Sequence, residues 1–211
     1  PDLSTSCDWP TLAEKLRQYD QVLCIVNTRR ACYDLFKLMP PNTVHLSALM
    51  CGAHRTRIIR YIKWRLKKAK PIRVISTQLV EAGVDIDFPV VYRALAGLDS
   101  VAQSAGRCNR EGKLNDTGKY GIVHVFVPPT SAPPGLLRKG ENTMRELHAS
   151  DIDPQSPENF RRYFEIFYGK VNNTGTAFKT WLTRDVDQRL AIQFRTAAAN
   201  FKLIDEQEQQ A

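Results

Sequence analysis

The sequence lacks long apolar runs, paired cysteines and a glycine-rich phosphate loop, and each absence excludes a class of function. No run approaches the ~20 apolar residues of a membrane helix, and no signal-peptide pattern opens the chain. The five cysteines are odd in number and dispersed, without a C-x-x-C pair, so neither a disulfide framework nor a zinc site is predicted. Cys24 and Cys32 fall in a predicted strand and helix, as buried thiols of a reducing compartment do. These features predict a cytoplasmic chain with no membrane partner.

The missing phosphate loop bears on catalysis. Motors that hydrolyse ATP hold it with a G-x-x-x-x-G-K-[ST] loop and hold Mg²⁺ with an acidic pair. The Gly–Lys pairs that begin at Gly112, Gly118 and Gly169 lack this frame. The four histidines are dispersed and form no metal-binding pattern with acidic residues. The chain is therefore predicted to bind no metal and to hydrolyse no ATP by itself.

The chain carries 30 Lys and Arg against 22 Asp and Glu, a net charge of +8 that fits a polyanionic partner. Much of the excess lies in residues 55–73, where Ile58, Ile59, Ile62 and Leu66 recur at helical spacing. This pattern predicts an amphipathic helix with a basic outer face. Two interpretations stay open: a solvated surface, which is the commoner case, or a face that meets DNA or a protein partner.

Short apolar runs alternate with helical segments, which predicts an α/β fold with a parallel sheet flanked by helices on both faces. The predicted strands are 22–27, 43–47, 72–77, 90–94 and 121–127. Functional residues of such sheets gather at the carboxyl ends of the strands. Polar residues stand at these ends: Asn27, Thr28, Ser47, Ser76 and Thr77.

The proline-rich stretch around 128–135 is the clearest break in composition. It predicts a sheet domain over 1–127, a linker over 128–137 and a helical extension over 138–211. Helices are expected near 138–148, 157–169 and 184–200. Aromatic residues recur at helical spacing within 160–168, which favours packing in a core over stacking on bases.

The most informative stretch is Gln103–Arg110, which has the form Q-x-x-G-R-x-x-R. The stretch is predicted to lie on a short helix, and its spacing puts the guanidinium groups of Arg107 and Arg110 on one face. Two planar donor forks suit the oxygens of a phosphoryl group in transfer. The alternative is a pair of solvated arginines at a helix start.

About twenty residues upstream, an apolar strand ends in Ser76 and Thr77 and leads into Glu81-Ala-Gly83-Val-Asp85. Gly83 allows a tight turn, and the Asp85 carboxylate suits a ribose hydroxyl. Taken alone, this segment is also compatible with an ordinary strand, turn and helix.

Together the two stretches resemble motifs V and VI of superfamily-two helicases, which lie in the second of their two RecA-like domains. The sequences of residues 76–88 and 94–112 are similar to those of the CRISPR-associated helicase–nuclease family of type I systems. Within that family, Cys108-Asn109 resembles subtype I-C. Residues 22–28 resemble motif IV, and 44–48 with Arg55 resemble the segment after it. The resemblance is strong over about the first six-tenths of the chain and weak beyond.

The resemblance implies the second RecA-like domain of an ATP-dependent DNA helicase that feeds single-stranded DNA to a nuclease, excised with part of a helical extension and inactive alone. ATP and Mg²⁺ would be held mainly by an absent first domain. Arg107 and Arg110 would be the catalytic residues, with Arg110 favoured as the finger that reaches the γ-phosphate. The implied nucleotide contacts are Gln103, Gly83 and Asp85. The implied DNA contacts are Asn27, Thr28, Ser47, Thr77 and Gln78.

The implied partners are single-stranded DNA, the first RecA-like and nuclease domains of the same protein, and the type I CRISPR surveillance complex. A phage anti-CRISPR protein is a further candidate. Two alternatives stay open at this point. The chain could be a module on which a partner docks, or half of another superfamily-two helicase of repair or restriction.

Overall fold

The structure is a computed structural model that describes residues 3, 5–81, 83–149, 156–171, 180, 182 and 193–195. The chain divides into two compact units, Pro1–Lys170 and Val171–Ala211. In the second unit, the amide of Gln193 donates to the carbonyl of Leu182 at 3.2 Å. The predicted helix at 184–200 lies almost entirely outside the described residues. The division into domains at 127 and 137 stays a prediction.

The first unit is built on a sheet of five parallel strands in the order β2-β3-β1-β4-β5. The strands are β1 (Gln21–Ile25), β2 (Thr43–Leu46), β3 (Ile72–Ser76), β4 (Val90–Ala94) and β5 (Ile122–Phe126). The three central strands are almost entirely buried, as strands covered on both faces are. The predicted α/β class is confirmed.

Six helices surround this sheet in the described part of the chain: α1 (Trp9–Arg17), α2 (Arg29–Lys37), α3 (Gly52–Lys67), α4 (Leu98–Ala105), α5 (Leu136–Ala149) and α6 (Pro157–Lys170). Two 3-10 turns lie at Gln78–Val80 and Asn115–Thr117. The start of α1 is fixed by Asp8, whose carboxylate accepts from the amide of Thr11 at 2.8 Å. None of the described helices is long and apolar enough to cross a membrane.

The two faces of the sheet carry separate cores. Val22 and Cys24 of β1 pack with apolar residues of α1 and α2. Leu23 and Ile25 point to the opposite face, where they pack with Ile62 of α3. The alternation along β1 places helices on both faces, as predicted. Cys32 of α2 is fully buried, and burial raises the pKa of its thiol to about 12.

A third core joins α5 and α6 to the edge of the sheet. It contains Leu95 and Val127 after strands β4 and β5, Met144 and Leu147 from α5, and Tyr163 from α6. The other ring side chains of α6 that pack here are Phe160, Phe164 and Phe167. The aromatic pattern of 160–168 is therefore mainly a packing pattern, as predicted.

Tyr163 also ties α6 to α4. Its hydroxyl donates to Asp99 Oδ1 at 2.9 Å, and a Cβ at Gly97 would collide with both side chains. Glycine is thus required at the entry to α4, because the tyrosine reaches over that point of the backbone.

Candidate functional site

Three strand ends meet at one edge of the sheet. Ile25 of β1 lies beside Ser76 of β3, which also lies beside Leu46 of β2. The amide of Val26 donates to the carbonyl of Ser76 at 2.9 Å, and the amide of Thr77 donates to that of Leu46 at 3.2 Å. The predicted motif IV residues, Ser47 and the motif V residues are therefore brought together, as expected from a parallel sheet.

Asn27 connects several segments at this edge through hydrogen bonds. Its side chain is 7% exposed; Nδ2 donates to the carbonyl of Leu95 at 2.7 Å and Oδ1 accepts from Arg93 at 2.6 Å. Its backbone carbonyl accepts from Gln78 Nε2 at 3.3 Å. The side-chain amide of Asn27 therefore forms hydrogen bonds within the protein and holds the ends of strands β1 and β4 together.

The other predicted DNA contacts differ in access to solvent. Ser47 and Thr77 are buried, whereas Thr28 and Gln78 are half-buried. The Thr28 hydroxyl accepts from the amide of Ala31 at 3.1 Å and so caps α2. A hydroxyl that accepts here still has its own proton to donate.

A buried ion pair that sequence reasoning missed lies behind this edge. The side chain of Arg93 in β4 is 0% exposed, and its Nε is 2.7 Å from Glu81 Oε1 in the motif V turn. Nη1 also donates to the carbonyl of Ala94 at 2.9 Å. The same Glu81 oxygen accepts from Ser104 Oγ of α4 at 3.2 Å. Motif V, β4 and the helix of motif VI are thus joined by one network.

Burial dominates the electrostatics of this pair. It raises the pKa of the Glu81 carboxyl, against the opposing attraction of Arg93. It lowers the pKa of Arg93, against the attraction of Glu81. Arginine stays protonated throughout the physiological range, so the protein holds a cation in its interior. The available signal was an arginine within the otherwise apolar strand Val-Val-Tyr-Arg-Ala.

The helical placement predicted for both motif VI arginines is wrong. Helix α4 ends at Ala105, before Arg107 and Arg110. The backbone of Phe88 pairs with this segment: its amide donates to Arg107 and its carbonyl accepts from Asn109, both at 2.9 Å. Asn109 has a left-handed φ of 47°. Pairing with Phe88 therefore replaces the helix and sends the two guanidinium groups in different directions.

Arg107 folds back onto motif V. Its Nε donates to the carbonyl of Val80 at 2.9 Å, and Nη2 donates to that of Glu81 at 2.7 Å. The side chain is half-buried. The motif V turn therefore fixes the position of the Arg107 guanidinium group.

Arg110 is exposed and has a carboxylate partner. Its Nη1 lies 2.5 Å from Asp85 Oδ1, and Lys63 of α3 lies 3.3 Å from the other oxygen. The hydrogen bond from Lys63, with the charges of Lys63 and Arg110, lowers the pKa of Asp85. Asp87, another residue that the sequence did not single out, accepts from the Arg110 amide at 2.7 Å and fixes the turn.

The remaining predicted nucleotide contacts flank these arginines. Gln103 is exposed on α4. Gly83 has a φ of 72°, in the left-handed region that glycine enters without strain, so the expected tight turn is present. In the described residues, no group of three His, Cys, Asp or Glu side chains converges as metal ligands would.

Residues 18–113 match the family model described as CRISPR-associated nuclease/helicase Cas3, C-terminal. The matched segment is similar to the C-terminal region of Cas3 nuclease/helicases. It contains β1 to β4 and both arginines of motif VI. The match confirms the resemblance on which the sequence interpretation rests.

Individual Cas3 proteins are also similar to parts of this chain. The Cas3 of Haloferax volcanii is 43% identical over 65 residues, which are 31% of this chain and 7% of the relative. The T. fusca Cas3-ATP crystal structure has the same fold, with a TM-score of 0.58 and 19% identity over 95% of this chain and 28% of that one. A chain of a pre-nicking CRISPR RNA-guided surveillance complex matches with a TM-score of 0.51 and 21% identity, over 82% and 25% of the two chains. This chain thus spans only a small part of its Cas3 relatives.

Proposed function

We propose that this chain is the C-terminal half of the motor of an ATP-dependent DNA helicase and translocase of type I CRISPR interference. In this role it contributes arginines to a site completed by another domain and is inactive alone. The observation that carries the proposal is the arrangement of motif VI: Arg107 is fixed on the carbonyls of motif V while Arg110 stands exposed beside it.

The two arginines have different tasks in this proposal. Arg110 is the finger that reaches the γ-phosphate of ATP bound on the first RecA-like domain. Its pairing with Asp85 is an exposed ion pair, which contributes little stability and exchanges readily for a phosphate. Arg107 contacts the same phosphates from a fixed position, while Gln103, Gly83 and Asp85 shape the nucleotide side of the cleft.

The described residues fit a nucleotide better than a metal ion. The guanidinium of Arg110 and the amide of Gln103 are exposed donors suited to phosphate oxygens. The acidic side chains in contact with Arg110, Asp85 and Asp87, already accept hydrogen bonds from this chain. Mg²⁺, which neutralises the phosphates in such reactions, is therefore assigned to the first domain.

Single-stranded DNA is assigned to the edge formed by the strand ends. Thr28 and Gln78 have the access needed to donate to backbone phosphates. Asn27, Ser47 and Thr77 are buried just behind them and shape the same edge. Contacts of this kind hold the phosphate backbone without reading sequence.

The proposed protein partners follow from the motor role. They are the first RecA-like domain and the nuclease domain of the same protein, and the type I surveillance complex. The likeness to a chain of the pre-nicking complex supports the last of these. A phage anti-CRISPR protein that blocks the motor is a further proposed partner.

The test is ATP hydrolysis by this chain alone, measured with and without single-stranded DNA. We expect no turnover, and we expect DNA-stimulated turnover from the complete protein as the positive control. Turnover by the chain alone that survives further purification and disappears in an Arg107→Ala variant would reveal an independent nucleotide site and contradict the half-site proposal.

A further inference from the structure

The positive charge of the protein is concentrated in one segment. Residues 35–80 contain ten Lys and Arg and no Asp or Glu, while the rest of the chain holds the other 20 basic residues and all 22 acidic ones. Outside this segment the chain is close to neutral. Helix α3 supplies six of the ten cations: Arg55, Arg57, Arg60, Lys63, Arg65 and Lys67.

Two large aromatic side chains stand on the solvent side of this helix. Tyr61 and Trp64 are 44% and 47% exposed, and their rings stack with centroids 6.2 Å apart and an interplanar angle of 29°. Arg57 precedes them by one turn and Lys68 follows by one turn, so the four positions share a face. We call the surface formed by Arg57, Tyr61, Trp64 and Lys68 the α3 outer face.

The cations of this surface are available to a ligand. In the part of the chain that the structure describes, Lys63 is the one α3 cation with a carboxylate within ion-pair distance. Arg57 and Lys68 are exposed. Lys70 Nζ lies 4.7 Å above the ring of Trp64, a contact that is weak at an exposed site. A planar ligand group can displace Lys70 from the ring and leave its ammonium beside a neighbouring phosphate.

We propose that the α3 outer face binds single-stranded nucleic acid, with unpaired bases on Tyr61 and Trp64 and phosphates on the cations around them. Stacking on aromatic rings combined with backbone neutralisation is the general way in which proteins hold single strands without reading sequence. A duplex hides its base faces and an acidic peptide has none, so neither uses the aromatic pair. The surface shares no residue with the DNA edge proposed above.

The test compares matched aromatic variants of this chain in equilibrium binding to a fluorescent 20-nucleotide oligo-dT. Tyr61→Ala/Trp64→Ala should weaken binding on the order of tenfold or more. Tyr33→Ala is the control, because Tyr33 is 47% exposed on α2 with Lys37 4.4 Å over its ring, and it should bind as the parent does. Trp64→Phe keeps an aromatic face and should retain most of the affinity. Thermal melting checks that each variant is folded.

Charge variants test the second half of the proposal. Arg57→Gln/Lys68→Gln should reduce the slope of log affinity against log salt by about 1.4, at about 0.7 per phosphate contact. Lys119→Gln/Arg162→Gln removes two exposed cations elsewhere and should leave the slope nearly unchanged. The aromatic double variant should also keep the parental slope, since it removes no charge.

Three outcomes would overturn the proposal. Normal binding by the aromatic double variant would leave no role for the rings, even if the charge variants bind weakly. Equal affinity for duplex DNA and for the single strand would also show that the rings have no role, because a duplex does not expose its base faces. Loss of binding only in Thr28→Ala or Gln78→Ala would locate the DNA at the strand ends, which supports the proposed function and rejects this second surface.

Discussion

Two basic regions of this molecule handle their charge in opposite ways. At the strand-end edge, Arg93 is fully buried against Glu81, and Arg107 is bonded to two backbone carbonyls. On the α3 outer face, Arg57 and Lys68 are exposed in a segment that contains no acidic residue. The first region binds its cations into a fixed internal geometry, whereas the second leaves them exposed to solvent. Substitutions should therefore affect stability and catalysis in the first region and affinity in the second.

The largest expected effect concerns the motif VI arginines in the complete protein. Arg107→Ala and Arg110→Ala should each reduce DNA-stimulated ATP hydrolysis by ~10³-fold or more, the range found for arginine fingers. Lysine at either position should not restore the rate, because a point charge does not reproduce the planar fork.

The two positions should differ in stability. Arg107→Ala leaves two carbonyls without their donor and should cost about 1–3 kcal/mol, while Arg110→Ala should stay within about 0.5 kcal/mol. Both are measured as chemical denaturation of this chain. Near-normal hydrolysis by both alanine variants would reduce motif VI to a structural turn.

The next largest effect concerns the buried pair. Glu81→Ala leaves the Arg93 cation buried without its carboxylate and should destabilise this chain by about 3–5 kcal/mol. The control is Asp34→Ala, which breaks the exposed Arg30–Asp34 pair of 2.8 Å and should cost less than about 0.5 kcal/mol.

A double variant distinguishes the cost of an unpaired buried charge from the loss of the ion pair itself. Glu81→Leu/Arg93→Leu should recover part of the loss, because it removes the unpaired charge together with its partner. Equal losses for Glu81→Ala and Asp34→Ala would show that the interior of the site does not depend on this ion pair.

The smallest effect concerns Thr28, at the edge proposed to bind DNA. Thr28→Ala removes the cap of α2 and should cost about 0.5–2 kcal/mol of stability. It should weaken DNA binding modestly and leave the salt slope unchanged, because a hydroxyl displaces no counterion. Thr77→Ala, which removes no capping bond, serves as the comparison. A change in slope for Thr28→Ala would mean that the substitution moves charged groups as well.

The sequence predicted the sheet well because its signals are local. Apolar runs that end in polar residues place each strand within about two residues of its observed bounds. The same pattern predicted that Asn27, Ser47 and Thr77 share an edge. The burial of Asn27 was not predictable, because its side-chain partners, Arg93 and Leu95, come from a part of the chain more than sixty residues away.

Motif VI shows why other features of the site could not be predicted from the sequence. Nothing in Gln103–Arg110 forbids a longer helix, and its end at Ala105 is decided by Phe88, seventeen residues upstream of Ala105. The Arg93–Glu81 pair likewise joins two elements through the fold. The one local signal for this pair was a charged residue in a buried strand. That signal predicts that Arg93 has a partner of opposite charge, but it does not identify Glu81 as that partner.

The most direct test of the account is to measure ATP affinity and the single-turnover hydrolysis rate of the Arg110→Ala complete protein in one set of experiments. An exposed arginine that acts on the transferring phosphate should change the rate by ~10³-fold or more and leave the ATP dissociation constant within a few fold. A weakened affinity with an unchanged rate would contradict the account, because it would make Arg110 a ground-state contact of the nucleotide.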